Sequence, residues 1–291
     1  MARVSSPFCP YPIQQTTGDP SDVTTSQMFT TISWQTYSEQ GDKKDHNEDA
    51  CYSTANHAFL MDGHGGETCV NWFHGRLAAL CGLGEAVFDI QNGATTALKN
   101  LNQEFLAESR PDDFSGSTFI YIFLHRIGVL DVLSLGDSKA IVVGKDLLGR
   151  TQWRLLTTSD ALEGDDRNLK EVELAKARGN TFRNDRIVSR TSGLSIGMTR
   201  ALGDRDMRSG EDPAFYEVID DPHVSRELLQ PGDTHIVIAS DGLWDVVSEA
   251  SVASSVCAGG GAEELVRMAK ARWAEKGRRA DDTTVMVGKI M

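Results

Sequence analysis

The chain has 291 residues, of which 40% are hydrophobic and 24% charged, enough to bury a large core. A net charge of −13 argues against nucleic acid as the main partner and against adsorption to an anionic membrane face. The five scattered cysteines are odd in number and include no C-x-x-C pair, which supports neither a disulfide framework nor a zinc knuckle and points to a reduced intracellular setting, cytoplasmic or nuclear.

Residues 1–27 are rich in Ser, Thr, Pro and Gln, contain no signal-peptide core, and read as a weakly ordered arm. Residues 28–291 read as one domain, with no transmembrane run. Thr30–Tyr37 is the first predicted strand. Ala50–Ser53 and His57–Met61 follow as strands around a turn at Ala55-Asn56. Glu67–Ala79 predicts a helix with Val70, Phe73, Leu77 and Leu80 on one face. Ala94–Ser109 predicts a second helix, closed by Pro111.

The apolar period then becomes extended. Ser117–Leu124, Val129–Leu135 and Ala140–Val143 predict an antiparallel meander, and Trp153–Leu156 another strand. Ala161–Lys176 predicts an acidic helix with Gly179 as its C′ residue. Asn180–Asp212 reads as a long loop with one helical turn near Met198–Leu202. His235–Ala239 is the clearest buried strand in the chain. Helices at Ser248–Val256 and Ala262–Lys276 precede a last strand, Thr283–Ile290. Helices packed outside β-sheet, in an α+β domain, are the simplest architecture for this order.

Acidic turns adjoin these extended runs. Asp62-Gly63-His64-Gly65-Gly66 follows the strand that ends at Met61; on its own it is equally a capped tight turn or a metal turn. Glu48-Asp49 alone reads as a solvated edge, and Asp137 alone as a turn former. Asp241 is harder to set aside, because a strongly apolar strand runs straight into it. Asp281-Asp282 follows Arg278-Arg279, which could neutralise the pair. Taken together, carboxylates at strand ends can converge on one sheet edge, and an oxygen-only set selects Mg²⁺, Mn²⁺ or Ca²⁺ over zinc. Two such ions about 3.5–4 Å apart can activate a water for in-line attack at phosphorus.

The motif order resembles the metal-dependent protein phosphatases of the 2C family. The strings are Lys44-Asp45-His46-Asn47-Glu48-Asp49, Met61-Asp62-Gly63-His64-Gly65-Gly66, Ser115-Gly116-Ser117-Thr118 and Gly136-Asp137-Ser138-Lys139. Met198-Thr199-Arg200-Ala201-Leu202-Gly203-Asp204, Ala239-Ser240-Asp241-Gly242-Leu243-Trp244-Asp245 and Asp281-Asp282-Thr283-Thr284-Val285 complete the series. The resemblance implies a four-layer α-β-β-α sandwich with two central antiparallel sheets and a metal cleft at one sheet edge.

It also implies two Mn²⁺ or Mg²⁺ ions. Asp62 would bridge them, the Gly63 carbonyl would ligate one, and Asp241 and Asp281 the other. Glu48 would hold a metal-bound water, with Asp49 beside it. His64 falls at the position of the general acid for the leaving Ser or Thr oxygen. Asp137 and Asp245 match positions that some members use for a weaker third ion. The implied reaction is hydrolysis of phosphoserine or phosphothreonine in a phosphoprotein by a metal-bridged hydroxide, by a monomer that binds neither nucleic acid nor membrane. The alternative is a catalytically impaired scaffold of the same shape that binds a partner protein.

Three positions depart from the family pattern. Lys44 stands where the phosphate-binding Arg is usual, and a point charge in place of a bidentate fork predicts weaker substrate binding. Ala161-Leu162-Glu163 follows Thr158-Ser159-Asp160 where His-Lys-Pro is common. Lys139 replaces a common Arg in what reads as a structural salt bridge. The basic stretch Asn180–Arg190 is either a selectivity element at the cleft edge or an ordinary solvated surface.

Overall fold

The computed structural model describes residues 30–82, 86–88, 93–162, 168–208 and 216–291. The expected arm over 1–27, with Cys9, lies outside these residues. The described chain opens with β1 (Ile32–Glu39) and the hairpin β2 (Ala50–Ser53) and β3 (His57–Met61), the latter two at their predicted bounds. Next come the two-residue strand β4 (Gly63–His64), α1 (Thr68–Cys81) and α2 (Ala94–Glu108). Then follow β5 (Gly116–Ser117), β6 (Phe119–His125), β7 (Val129–Leu135), β8 (Lys139–Lys145), β9 (Thr151–Leu155) and α3 (Leu169–Ala177). Four short strands follow: β10 (Thr181–Arg183), β11 (Arg186–Val188), β12 (Ser195–Ile196) and β13 (Leu202–Gly203). The chain continues through β14 (His223–Leu228), β15 (Asp233–Ala239), α4 (Asp241–Trp244), α5 (Glu249–Cys257), α6 (Ala262–Glu275) and β16 (Thr283–Ile290).

Two five-stranded antiparallel sheets form the centre, in the orders β1-β16-β15-β8-β9 and β14-β7-β6-β3-β2. Their facing sides share one apolar layer, in which Leu60, Ile120, Ile122 and Val132 meet Val142, Ile236, Ile238 and Met286. The outer face of the second sheet packs Phe59, Phe119 and Tyr121 under Phe73 and Leu77 of α1 and Leu98 and Phe105 of α2. The outer face of the first sheet packs Ile141, Val237 and Val285 under α4, α5 and α6. The result is four layers, α-β-β-α. Central strands covered on both faces favour apolar residues at most positions, so β3 and β6 read as nearly continuous apolar runs, and β7 is interrupted only by Asp131 and Ser134. No helix among the described residues is long and apolar enough to cross a membrane. Cys51, Cys69, Cys81 and Cys257 are free thiols.

The meander expected through β8 does not form. β6 pairs with β7, but β8 pairs with β15 in the other sheet. Gly136-Asp137-Ser138 is therefore a crossing between sheets. Gly136 takes φ +91° and donates its N–H to the Asp160 carboxylate at 2.8 Å. Leu80, expected on the buried face of α1, is exposed, while Cys81 takes the buried place. The predicted helix over Ala161–Lys176 is confined to α3, with the Asn168 side chain accepting from the N–H groups of Lys170 and Glu171; residues 163–167 lie outside the described residues. Gly179 has the predicted left-handed conformation.

The expected loop over Asn180–Asp212 contains a sheet, β10-β11-β12, with an Asn184-Asp185 turn at positive φ. Three-residue strands carry too few positions to show a period of two. Among the described residues of this stretch the helical turn lies at Arg205–Met207, not near Met198–Leu202. This flap has its own apolar cluster of Leu162, Val172, Ala175, Ile187, Ile196, Ala201, Met207 and Val218. Strand β14 has no apolar signature, yet it pairs with β7 along its length.

A buried ion pair ties β14 to the second sheet. Asp131 on β7 accepts from Arg226 Nε and Nη2 at 2.6 and 2.7 Å and pairs with His125 Nε2 at 2.8 Å. Burial would raise the Asp131 carboxyl, but the hydrogen bonds from Arg226 and His125 outweigh it and hold it below the ordinary carboxylate range. Asp131→Ala should therefore cost roughly 2–3 kcal/mol in denaturant unfolding, less than a fully enclosed pair because Arg226 is partly exposed. The depressed group stabilises the fold above the unfolded carboxylate pKa. In wild type this contribution should be lost as pH falls through the folded value.

Candidate metal centre

The site is built where strand ends meet. β3 ends at Met61 and presents Asp62; the sheet crossing presents Asp137; β15 runs through Ala239 and Ser240 to Asp241; and Asp281 precedes β16. All four line one cleft of about 640 Å³, with Lys43, Lys44, Gly63, His64, Asp204 and Asp245. Asp245 follows Asp241 by one turn of α4, its N–H bonded to the Asp241 carbonyl at 2.9 Å. Glu48 and Asp49 lie behind the cleft wall.

The carboxylates crowd one another. Burial first, and then the charges of Asp49, Asp241 and Asp137, hold Asp62 well above the ordinary range. Burial and the charges of Asp137, Asp281 and Asp245 do the same to Asp241. Asp137 is pushed up to about 6 by burial and Asp245. Asp49 is pushed up to about 6 by burial, despite its hydrogen bond from Ser240 Oγ at 2.9 Å. Buried oxygens Asp49 Oδ1 and Asp137 Oδ1 have no partner among the described residues. Packed acids with unfilled oxygens are a poor arrangement unless cations sit among them. The donor set fits an oxygen-seeking divalent ion.

Gly63 is required at its position. A Cβ there would press on the Glu48 carbonyl at 2.5 Å and Val70 Cγ2 at 2.8 Å. Its own carbonyl faces the site, where Lys44 Nζ donates to it at 2.7 Å. The Lys44 ammonium also pairs with Glu48 Oε2 at 2.7 Å and lies 3.6 Å from Asp282 Oδ2. It lines the cleft while engaged with these oxygens. Lys43 pairs with Asp281 Oδ2 at 2.6 Å. The lysines, not Arg278 and Arg279, neutralise Asp281 and Asp282; the Arg279 guanidinium donates to the Asp42 carbonyl.

Two roles were missed in the sequence. Asp282 accepts the N–H groups of Gly41 and Glu48 at 2.8 and 3.0 Å, which fixes the acidic segment beside β16. Asp204 pairs with His64 Nε2 at 2.8 Å. Three two-residue strands bring them together, since β5 pairs with β4 on one side and β13 on the other. Gly116 lies between; a Cβ there would overlap both His64 Nε2 and the Asp204 carboxyl. Burial alone would lower the His64 pKa, but the charge and hydrogen bond of Asp204 outweigh it and raise it. Asp204 takes φ +50°, and its Oδ2 is buried without a partner among the described residues. An Asp after Gly in a motif string reads as a turn, so only the pairing of β13 with β5 reveals it. Gly116→Ala should separate the pair and lower turnover while leaving the unfolding transition cooperative, measured by peptide hydrolysis and circular dichroism.

Ligand atoms of Asp160, Glu171 and His223 also lie within 4.8 Å of one another. Arg200 fills that cluster, with Nε 3.1 Å from Asp160 and Nη2 3.2 Å from Glu171. It is a buried salt-bridge node holding the flap, and Asp160 serves the sheet crossing, not the cleft. Lys139 pairs with Glu249 at 2.9 Å, the structural bridge expected for it.

The architecture and site define a class: an α-β-β-α sandwich with an oxygen-lined cation centre at one edge of its paired sheets. The family model described as protein phosphatase 2C matches residues 30–276, and the chain belongs to that family. Among curated relatives, the probable protein phosphatase 2C 61 of Arabidopsis thaliana is 30% identical over 179 residues, 56% of this chain and 50% of the relative. The chain thus spans about half the length of that relative. Among solved structures, a serine-threonine phosphatase 2C from Toxoplasma gondii aligns with TM-score 0.69 at 18% identity, covering 90% of this chain and 95% of that one. The catalytic domain of the serine/threonine protein phosphatase PstP, solved with two manganese ions, aligns with TM-score 0.60 at 21% identity, covering 90% and 99%.

Proposed function

We propose that residues 28–291 form a metal-dependent phosphatase domain that hydrolyses phosphoserine and phosphothreonine in proteins. The observation that carries this reading is the mutual crowding of Asp62, Asp241 and Asp137 in a cleft beside His64. The name of the manganese-bound neighbour supports the kind of ion. We take the centre as two donor nests that share Asp62: one with Asp241 and Asp281, which holds a divalent ion, the other of the Gly63 carbonyl, Glu48 and, behind it, Asp49. Asp137 and Asp245 suit a further, weaker ion.

Bound divalent ions would lower the pKa of water toward neutrality and offset phosphate charge. The protein supplies the rest. His64 is held by Asp204 with a proton for the departing Ser or Thr oxygen, which leaves poorly as an alkoxide. Gly116 allows that pair to stand close to the cleft floor. Arg183 and Arg186 on the flap line the opposite wall and offer positive charge to an acidic phosphopeptide. The test is release of phosphate from a phosphothreonine peptide with Mn²⁺, with and without chelator. Metal-dependent turnover is expected; its absence would sink the proposal.

A further inference from the structure

Lys44 occupies the place of a cation. Its ammonium sits 2.7 Å from the Gly63 carbonyl, 2.7 Å from Glu48 Oε2 and 3.6 Å from Asp282 Oδ2. One carbonyl and carboxylate oxygens around a single point is the donor set a hard divalent ion would use. An ammonium has three donors and no acceptor, so it fits such a nest as a monovalent substitute.

The side chain is anchored from both ends of its segment. Before it, the N–H of Gly41 bonds Asp282 Oδ1 at 2.8 Å and that of Asp42 bonds the Ala280 carbonyl at 2.8 Å. After it, the N–H of Glu48 bonds Asp282 Oδ2 at 3.0 Å. Glu48 is itself committed, because its Oε1 accepts the Gly66 N–H at 2.8 Å while Oε2 takes Lys44. Moving Lys44 out would strip counter-charge from two carboxylates whose positions the backbone holds.

Lys43 is different. Its ammonium meets one carboxylate oxygen, on Asp281, and its side chain is 41% exposed against 25% for Lys44. It lies over the Trp273 ring, 5.0 Å from the centroid. A divalent ion at Asp62, Asp241 and Asp281 can displace it into solvent with little loss. An ion at the Gly63 carbonyl would have to stand where Lys44 already stands, against direct charge repulsion.

We propose that Lys44 is a built-in cation: its ammonium takes the Gly63–Glu48 position of the centre and leaves one tight divalent-ion site, at Asp62, Asp241 and Asp281. This rests on the metal-centre reading above. It replaces the expected phosphate contact of Lys44 with a structural charge, and it makes the ion count a property set by one side chain.

The experiment is a Mn²⁺ titration of the full chain by calorimetry, with electron paramagnetic resonance to detect coupled ion pairs. Wild type should take up one tight Mn²⁺ per chain without a coupled-pair signal. Lys44→Met keeps the stem and removes the charge. It should double the bound Mn²⁺ and show the coupled pair. Lys44→Gln is the second variant, and a melting curve confirms that each protein is folded. Two tight ions in wild type, or a single ion in both Lys44→Met and Lys44→Gln, would overturn the proposal. Asp241→Asn separates the two readings, because it should abolish the wild-type ion. Uptake unaffected by Asp241→Asn, or no uptake in any protein, would overturn the metal-centre reading and this one with it.

Discussion

Asp62→Asn should abolish metal-dependent hydrolysis of a phosphothreonine peptide, with kcat/KM falling by about 10³-fold or more. Asp62 stands among Asp49, Asp241 and Asp137 in the carboxylate cluster and, on the proposed reading, ligates the divalent ion. An ion supplies several kcal/mol of charge stabilisation, and each 1.36 kcal/mol is a factor of ten. The loss should come with a gain. Asp62 feels the charges of Asp49, Asp241 and Asp137, so neutralising it relieves repulsion in the metal-free protein. The variant should melt higher than wild type without metal, and Mn²⁺ should raise the melting temperature of wild type but not of the variant. An inactive variant that also melts lower would indicate a damaged fold and not a vacated site.

The same crowding sets a pH dependence for metal-free wild type. Carboxyls with raised folded values bind protons more readily folded than unfolded. Their contribution is fully favourable below the unfolded carboxylate pKa and declines as pH rises through the folded values, about 6 for Asp49 and Asp137. Metal-free protein should therefore melt lower at pH 8 than at pH 5, and saturating Mn²⁺ should flatten the difference.

Asp204→Asn should lower turnover of a phosphothreonine peptide by roughly 10²-fold, within the range a general acid contributes. The carboxylate orients the His64 ring and favours its protonated form across a 2.8 Å contact. An amide would keep the shape and lose the charge. The diagnostic is the leaving group. An aryl phosphate departs without a proton, so its turnover should change by no more than about threefold. Equal losses on both substrates would mean that Asp204 supports the fold, or metal binding, instead of proton delivery to the leaving oxygen.

What the sequence made legible follows from where each signal resides. β2, β3 and β16 were predicted to the residue: the apolar content of the central strands β3 and β16 is dictated by burial on both faces, and β2 pairs with β3 from the sheet edge. Asp62 and Asp241 were marked by apolar strands running straight into Asp-Gly. The sheet exchange at Gly136–Ser138 was not legible: a hairpin turn and a crossing use the same residues, and only the pairing of Lys139 with Ala239 separates them. The flap sheet was hidden because its strands are two and three residues long. Asp204 and Asp282 act through contacts 140 and 234–241 positions away in sequence, where no local pattern reaches. The contacts of Lys44 with the Gly63 carbonyl and Glu48 were not legible, since residue type does not reveal which way a long side chain turns.

The placement of the acids at the ends of central strands bears on how the protein opens. Asp62 follows β3, Asp241 follows β15 and Asp281 precedes β16, and each of these strands is hydrogen-bonded on both sides within its sheet. Amides along these strands should exchange with deuterium only through global unfolding, while those of the β10–β11 hairpin exchange early through local opening. The flap wall of the cleft should therefore open locally without loosening the floor.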